Sequence, residues 1–372
     1  MNDGGRVWLE IDMGLLKDNF RKIQAAVKPC SVLAVLKANA YGLGVLPIAT
    51  ALREAGAAGF GVAELNEALS LTRLGMPVQI LGSMIPSEIP AAVEHGVIMP
   101  VGDLAIAEMI SREALKQNRV AECHFIIDTG MGRLGALVAE AFTMISAAVK
   151  LPGLKCSGIY SHFPVANRQD LDYTLRQIER FRELLGQLSA AGIDFECVHI
   201  ANSDAINNFP ASFSRPFNRV RTGINLYGAF DPEGQRAMNL TPVLSLKTRL
   251  VAKRMLPAGS NIGYGCTYTL QEDMLVGTIA AGYADGLPLN LSNRGYVLIH
   301  GCLCPVIGRI SMDYSTVALT NVPGAMIGDE VICIGGDGAR AITVDTMAQI
   351  KGTHAYDVCC SFGSRVERRY IN

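Results

Sequence analysis

Long apolar runs are missing from this chain. No window of its 372 residues approaches the length of a membrane-spanning helix, and the most apolar late stretch, Val297 to Ile310, is interrupted by His300, Gly301, Pro305 and Gly308. The N-terminal residues run into Val7-Trp8-Leu9-Glu10-Ile11 without the apolar core of a signal peptide, so a cytoplasmic protein is expected. Charge of one sign is missing as well. A formal net charge of −1 offers no basic surface to nucleic acid or to an anionic membrane, and neither partner is expected. Ten cysteines are present, but the closest pairs, Cys302/Cys304 and Cys359/Cys360, lack the two-residue spacer of zinc and dithiol motifs. Buried free thiols in a reducing compartment are expected, with no metal site. Internal repeats and low-complexity segments are absent from the reading.

What is present is apolar residue in quantity: 49% hydrophobic against 18% charged, enough for a large core, in a chain too long for one ordinary domain. Short apolar runs read as strands at Val32–Leu36, Gly59–Val62, Val78–Leu81, Val97–Pro100, Cys123–Ile127, Cys156–Tyr160, Cys197–Ile200 and Val220–Thr222. Segments of helical period lie between them at Leu46–Ala55, Glu64–Leu74, Leu104–Lys116, Val138–Val149 and Leu171–Ala190. Eight strands alternating with helices is the count of a (β/α)₈ barrel of the TIM-like type, placed over residues 1–238. The other reading, an open doubly wound sheet, wants an early glycine-rich phosphate turn that Gly42-Leu43-Gly44 matches poorly. From 239 to 372 the pattern changes to a β-rich domain. Strands are read at Val243–Val251, Leu275–Ala280, Tyr296–Ile299, Cys304–Ile310, Thr316–Leu319 and Glu330–Ile334, with a helix only at Val344–Ile350.

Barrel chemistry collects where strands end. Lys37 follows the first strand directly. At the rim of a sheet, desolvation lowers an amine pKa toward Schiff-base chemistry, although an isolated lysine there is also an ordinary solvated cap. The fifth strand runs into Asp128-Thr129-Gly130-Met131-Gly132-Arg133, whose arginine suits a carboxylate. The sixth ends at Ser161-His162, the seventh leads into His199-Ile200-Ala201-Asn202-Ser203, and the eighth ends at Arg221-Thr222-Gly223-Ile224. Loops after strands seven and eight form the usual phosphate site of barrels, and Ser203 with the Gly223 and Ile224 amides offers an anion cradle. Singly, Ser203 reads as a helix N-cap, and His162 and His199 read as satisfied core residues. Assembled at one rim, lysine, cradle, histidines and arginines are hard to explain structurally.

The segments "EIDMGLLKDNF", "AVLKANAYGLG", "DTGMGRLG", "SHF", "HIANS", "VRTGINLYG", "GYGCTYT", "GYADG" and "GRISMD" occur in this order along the chain. In series they resemble the signature segments of the alanine racemases over essentially its whole length. That resemblance implies a pyridoxal 5′-phosphate (PLP) enzyme with an N-terminal barrel and a C-terminal β domain. It also implies a head-to-tail homodimer in which each partner's β domain completes the other's active site. Lys37 would carry PLP covalently and serve as one of two proton-transfer bases, with Tyr264 of the other subunit as the second. A bare tyrosine titrates near 10, so Tyr264 needs positive charge or hydrogen bonding to act. Arg221 would face the pyridine nitrogen, held by His162 and His199. An arginine does not give up a proton at working pH, so it limits delocalisation into the ring and disfavours transamination. Tyr41, Asn202, Ser203, Gly223 and Ile224 would contact the cofactor, Arg133 and Met312 the substrate carboxylate. Tyr283 would narrow the entrance in favour of small amino acids. Without the resemblance, Met312 and Tyr283 are routine packing.

The chain departs from the family's pattern at several positions. Ile126, seven residues before Arg133, stands where many members have a carbamylated lysine, and isoleucine cannot carry a carbamate. Leu43 replaces a usual histidine, Asp204 a common alanine, and Ser364 a phosphate-contacting tyrosine of some relatives. The expected function is racemisation of alanine to supply D-alanine for peptidoglycan. The alternative is a serine or broad-specificity racemase, since the changed positions surround the substrate. A PLP decarboxylase of related fold would leave Arg221 and the Tyr264 segment unexplained. A non-catalytic single-barrel PLP-binding protein would lack the β domain.

Overall fold

A computed structural model of the chain describes residues 5–167, 172–231, 233, 234 and 236–372. The first four residues, read above in the N-terminal segment, and Leu171, read as the start of a helix, lie outside the described residues. The chain folds as two compact units. One holds the described residues of Lys17–Leu226 together with 233–240. The other holds those up to Leu16, residues 227–231 and Thr241–Asn372.

After β1 (Val7–Asp12), which belongs to the second unit, the first unit lays down eight strands: β2 (Ser31–Val35), β3 (Gly59–Val62), β4 (Val78–Ile80), β5 (Met99–Val101), β6 (Ala121–Asp128), β7 (Leu154–Tyr160), β8 (Cys197–His199) and β9 (Arg219–Thr222). Parallel pairing runs β9-β2-β3-β4 and β5-β6-β7-β8. The two runs join through Ile80 N–H to Ile98 O at 3.0 Å and Ile98 N–H to Val78 O at 2.9 Å. They close through Asn218 N–H to Val198 O at 3.0 Å and Arg221 N–H to Ala201 O at 3.1 Å, making an eight-stranded parallel barrel. β3, β4, β5 and β8 are buried at every residue. Covering on both faces is why these strands are mostly apolar rather than alternating, with Gln79 and His199 as their buried polar residues. The intervening helices include Leu65–Thr72, Leu104–Lys116 and Asp172–Ala190. Asp103 starts the second of these by accepting the Ile106 N–H at 2.8 Å, satisfying one of the amides a helix start leaves unpaired.

The second unit is organised around β10 (Leu244–Leu256), whose Leu244, Leu246, Thr248 and Leu250 are buried in alternation. With it come β11 (Met274–Ile279), β12 (Tyr296–Ile299), β13 (Cys302–Pro305), β14 (Ser315–Ala318), β15 (Glu330–Ile334) and β16 (Glu367–Ile371). β10 pairs antiparallel with β1, β11 and β15, while β1 pairs parallel with β16. Register shifts at Leu246/Lys247 and Leu250/Ala252 let one long strand serve partners along both halves.

Three readings are corrected here. Residues 1–238 were assigned wholly to the barrel half, but β1 pairs in the strand-rich unit, where buried Trp8 lies between the Arg249 and Arg369 guanidiniums, 5.0 and 4.7 Å from its ring. Such stacking joins three strands distant in sequence, which local periodicity cannot register. The strand read at Cys304–Ile310 is β13, Cys302–Pro305; beyond it the chain leaves β12 and bridges to β14 instead, Val306 facing Val317 and Ile307 N–H reaching Thr316 O at 2.9 Å. A second short helix, Ala355–Cys360, follows Val344–Lys351 and was too brief to show a period. Among the described residues no helix is long and apolar enough to cross a membrane.

Replacing Trp8 by alanine should destabilise the strand-rich unit by about 3–5 kcal/mol, the usual cost of emptying a large aromatic site. Because Trp8 is the sole tryptophan, circular dichroism in a urea titration has to report the loss.

Candidate active site

The chain reverses hand directly after β2. Ala38, Asn39, Ala40 and Tyr41 all sit in the left-handed region, with φ of 52°, 55°, 54° and 57°. The turn holds through Ala40 N–H to Leu36 O at 2.9 Å and Gly42 N–H to Ala38 O at 2.7 Å. Left-handed backbone costs an L-residue about 1–2 kcal/mol, so four in succession need support from outside the turn. Asn39 Oδ1 takes the Val45 N–H at 2.9 Å, and Glu67 Oε1 takes the Ala38 N–H at 2.6 Å. Lys37 heads this turn, exposed at the rim, while Tyr41 at its end is buried. The Tyr41 hydroxyl lies where a Cβ on residue 223 would have to be, so Gly223 admits it by having none. The Gly223 N–H donates to Ser203 Oγ at 3.1 Å. Ser203 is the first residue of the helix Ser203–Asn208, and the cap is Asn202, whose Oδ1 accepts the Ala205 N–H at 2.9 Å. Ile224 follows in a buried short turn.

Arg221, on β9, is almost wholly buried. Its Nη1 donates to His199 Nδ1 at 2.6 Å, and its Nη2 to His162 Nδ1 at 3.2 Å, Ser161 O at 2.7 Å and Ile200 O at 3.1 Å. Burial draws its pKa down to about 10, which still leaves it charged at neutral pH. No carboxylate among the described residues pairs with it, and none of them accepts from its Nε–H. Since a guanidinium only donates, both histidines must present a bare Nδ1 and carry their proton on Nε2. Burial, then the positive charges of Arg221, Arg133 and Lys37, push His162 down to about 3. Burial and Arg221 push His199 well down too. Tyr160 stacks flat on His199, ring centres 5.0 Å apart and planes 4° apart, fixing the imidazole's tilt.

Deeper in the barrel His124, Cys197 and His199 bring ligand-type atoms within 4.8 Å of one another. His199, however, has spent its Nδ1 lone pair on Arg221 and holds a proton on Nε2, so it has no pair to give a metal. His124 points inward from β6 with its ring against Gly158, where a Cβ would come within 2.6 Å. Burial brings its pKa to about 3. Ile126, on the same face, is buried beside a cavity of about 550 Å³ that Asp128 and Arg133 also line. The Arg133 loop is shaped by Asp128, whose carboxylate accepts the N–H groups of Gly130, Met131, Gly132 and Arg133 at 2.8, 2.7, 2.9 and 3.3 Å. Burial pushes the Asp128 pKa up, but the four amides outweigh it and hold it below the usual range. The Arg133 side chain is exposed and has no hydrogen-bond acceptor among the described residues.

Tyr264, Tyr283 and Met312 belong to the strand-rich unit and are exposed to 71%, 46% and 52%. Backbone contacts gather their segments. Gly263 bridges to Arg309, Tyr283 N–H reaches Ser311 O at 3.1 Å and Ala284 N–H reaches Met312 O at 3.1 Å. Arg365 ties two of them, giving Asp285 bonds of 2.7 and 3.0 Å and Asp313 one of 2.7 Å. Sequence reading missed Glu67, Asp128 as a loop former, and Arg365 as a strap. The acid inside a glycine-rich loop was a visible signal for Asp128, whereas nothing local marked the other two.

The sequence profile of the alanine racemase N-terminal domain matches residues 11–231 and that of the C-terminal domain residues 243–370. An alanine racemase of Desulforamulus reducens is 38% identical over 371 residues, 98% of this chain and 99% of its own. Among solved structures, the alanine racemase of D-cycloserine-producing Streptomyces lavendulae superposes with a TM-score of 0.92 at 33% identity, covering 99% of this chain and 98% of that one. That of Bartonella henselae, solved with covalently bound pyridoxal phosphate, gives 0.88 at 28%, covering 99% and 100%. The chain belongs to the alanine racemase family. It is thus an amino-acid racemase, an isomerase that interconverts L- and D-alanine, and its family is PLP-dependent.

Two outcomes follow for the barrel rim. In nitrogen-15 NMR of labelled histidine, His124, His162 and His199 should stay neutral from pH 8 to pH 5, with His162 and His199 protonated at Nε2. The unfolded chain takes up protons that the native barrel refuses in this interval, so stability should fall as pH drops below about 6.5. Asp128→Asn should speed amide exchange over residues 130–133 by about 10- to 100-fold, the worth of a hydrogen bond to a charged group. Because the native Asp128 pKa is lowered, the wild-type loop should be fully held above the ordinary aspartate pKa and loosen as pH falls through the native one.

Proposed function

We propose that the protein racemises alanine by two-base proton exchange, with Lys37 on one face of the substrate Cα and Tyr264 of a second subunit on the other. PLP, attached at Lys37, would supply the electron sink that acidifies the Cα–H bond. The observation that carries the reading is Arg221: a buried, permanently charged donor, braced by two neutral histidines, with its Nε–H unclaimed by the described residues. Such a donor suits an unprotonated pyridine nitrogen, to which it gives a hydrogen bond but no proton. Tyr41, Ser203, Gly223 and Ile224 hold the phosphate end, combining a helix start with the small space at Gly223, and Asn202 contacts the cofactor beside them. Arg133, whose side chain has no acceptor among the described residues, and the Met312 backbone orient the substrate carboxylate. Tyr283 limits the side chain admitted.

A homodimer with shared sites is part of this reading. Its support is that Tyr264, Tyr283 and Met312 are all exposed and that backbone contacts hold their segments together on the strand-rich unit. A cytoplasmic location and the supply of D-alanine to peptidoglycan complete it. A serine or broad-specificity racemase is the second reading, favoured by the open space beside Ile126 and Arg133.

Tyr264→Phe should slow racemisation by about 10²–10⁴-fold, the worth of a positioned acid–base group, and leave cofactor binding intact. Mixing inactive Lys37→Ala protein with Tyr264→Phe protein should restore part of the activity, because one site of each mixed dimer then has both bases. No recovery despite proven subunit exchange defeats the shared site. Turnover assayed on alanine and serine side by side separates the two substrate readings.

A further inference from the structure

The amide that follows Lys37 is not satisfied by its own turn. Ala40 N–H and Gly42 N–H find carbonyls within the left-handed segment, but the Ala38 N–H leaves it, to Glu67 Oε1 at 2.6 Å. The other carboxylate oxygen, Glu67 Oε2, accepts the Ala63 N–H at 2.8 Å, at the exit of β3. Glu67 is the third residue of the helix Leu65–Thr72, so its backbone is fixed by a regular element packed behind the sheet. β2 and β3 are parallel neighbours in register from Leu33/Gly59 to Val35/Gly61, and Leu36 N–H continues their ladder to Gly61 O at 2.8 Å. One carboxylate therefore clamps the ends of two adjacent strands at the point where the first of them reverses hand. We propose that Glu67 is a positioning residue for Lys37: it holds the left-handed turn closed and thereby aims the lysine amine.

The physical argument is local. A backbone N–H that loses its acceptor must be rehydrated or must rotate. Ala38 is the residue whose rotation carries it back toward the ordinary right-handed region that its side chain prefers. Rotation at Ala38 swings the peptide plane joined to Lys37 and displaces the amine by more than the small tolerance an aligned proton transfer allows. Glu67 reaches Lys37 only through the Ala38 amide, and its second oxygen is anchored on the Ala63 amide. It is the charge and the fork of the carboxylate that matter, since two donors from two strands arrive on two oxygens. A glutamine retains one such oxygen and an alanine none.

The inference rests on Lys37 being the cofactor lysine, and its test is arranged so that the two fail separately. Hydrogen exchange over residues 36–44, measured in the enzyme as purified, reads the turn without reference to catalysis. In Glu67→Ala this segment should exchange about 10- to 100-fold faster than wild type, and kcat should fall by about the same factor with KM changed less than threefold. Glu67→Gln should recover at least half of each loss on a logarithmic scale. Borohydride trapping with peptide mapping should still mark Lys37 in both variants. Unchanged exchange over 36–44 in Glu67→Ala overturns the clamp, whether or not kcat falls. Faster exchange with wild-type kcat overturns the positioning role. If Glu67→Ala does not fold, an unchanged exchange and kcat in Glu67→Gln overturns the proposal, while a partial loss of both supports it. A label on another lysine would instead sink the assignment of Lys37 and leave the exchange result standing.

Discussion

A guanidinium kept inside a barrel with no carboxylate partner among the described residues is the constraint around which this site is arranged. Removing a charge from water is expensive, and the usual remedy is an acidic partner. Arg221 is instead satisfied by two carbonyls and two imidazole nitrogens. Neutral acceptors lower the cost of burial without cancelling the charge. That choice propagates. It dictates the tautomers of His162 and His199, requires both rings to resist protonation, and hence requires them to be dry. Dryness is supplied by Tyr160 stacked on His199 and by the packing of His124 against Gly158. The strands that carry Arg221 and His199 are also the pair that closes the barrel.

Around this charge the rim is positive while the chain as a whole is nearly neutral. Lys37, Arg133 and Arg221 all act on His162, while the neighbouring acids Asp128 and Glu67 have their carboxylates committed to backbone amides. A local field of this kind concentrates an anionic cofactor and an amino-acid carboxylate without making the surface generally sticky. Asp128 is instructive by contrast. It lies close to Arg133 in sequence, yet its oxygens are committed to four backbone amides, so it shapes the loop and leaves the arginine's side chain without an acceptor among the described residues.

Much of the barrel was legible because strands buried on both faces are mostly apolar; β3 and β5 are that plain, while β4 carries the buried Gln79 at its centre. The strand-end residues were legible through the same logic, since helix-to-strand alternation fixes where a rim must fall. Three kinds of feature were not. The left-handed turn is written in Ala-Asn-Ala-Tyr, which by propensity favours the ordinary hand, and only Glu67 and Asn39 reveal why it is tolerated. β1 was assigned to the wrong unit because its partners, β10 and β16, are more than two hundred residues away. Arg365 was invisible because a strap between Asp285 and Asp313 depends on where three loops meet, and no local pattern encodes that.

The reversed turn has a bearing on how such sites can be transferred between scaffolds. A lysine at the end of a barrel strand is easily installed by substitution, but here its direction belongs to a ten-residue segment, Leu36 to Val45, and to an acid on the helix that follows the neighbouring strand β3. The transplantable object is therefore a module with two anchor points rather than a side chain. A designer who grafts the lysine alone onto an ideal barrel would inherit its chemistry with the wrong aim.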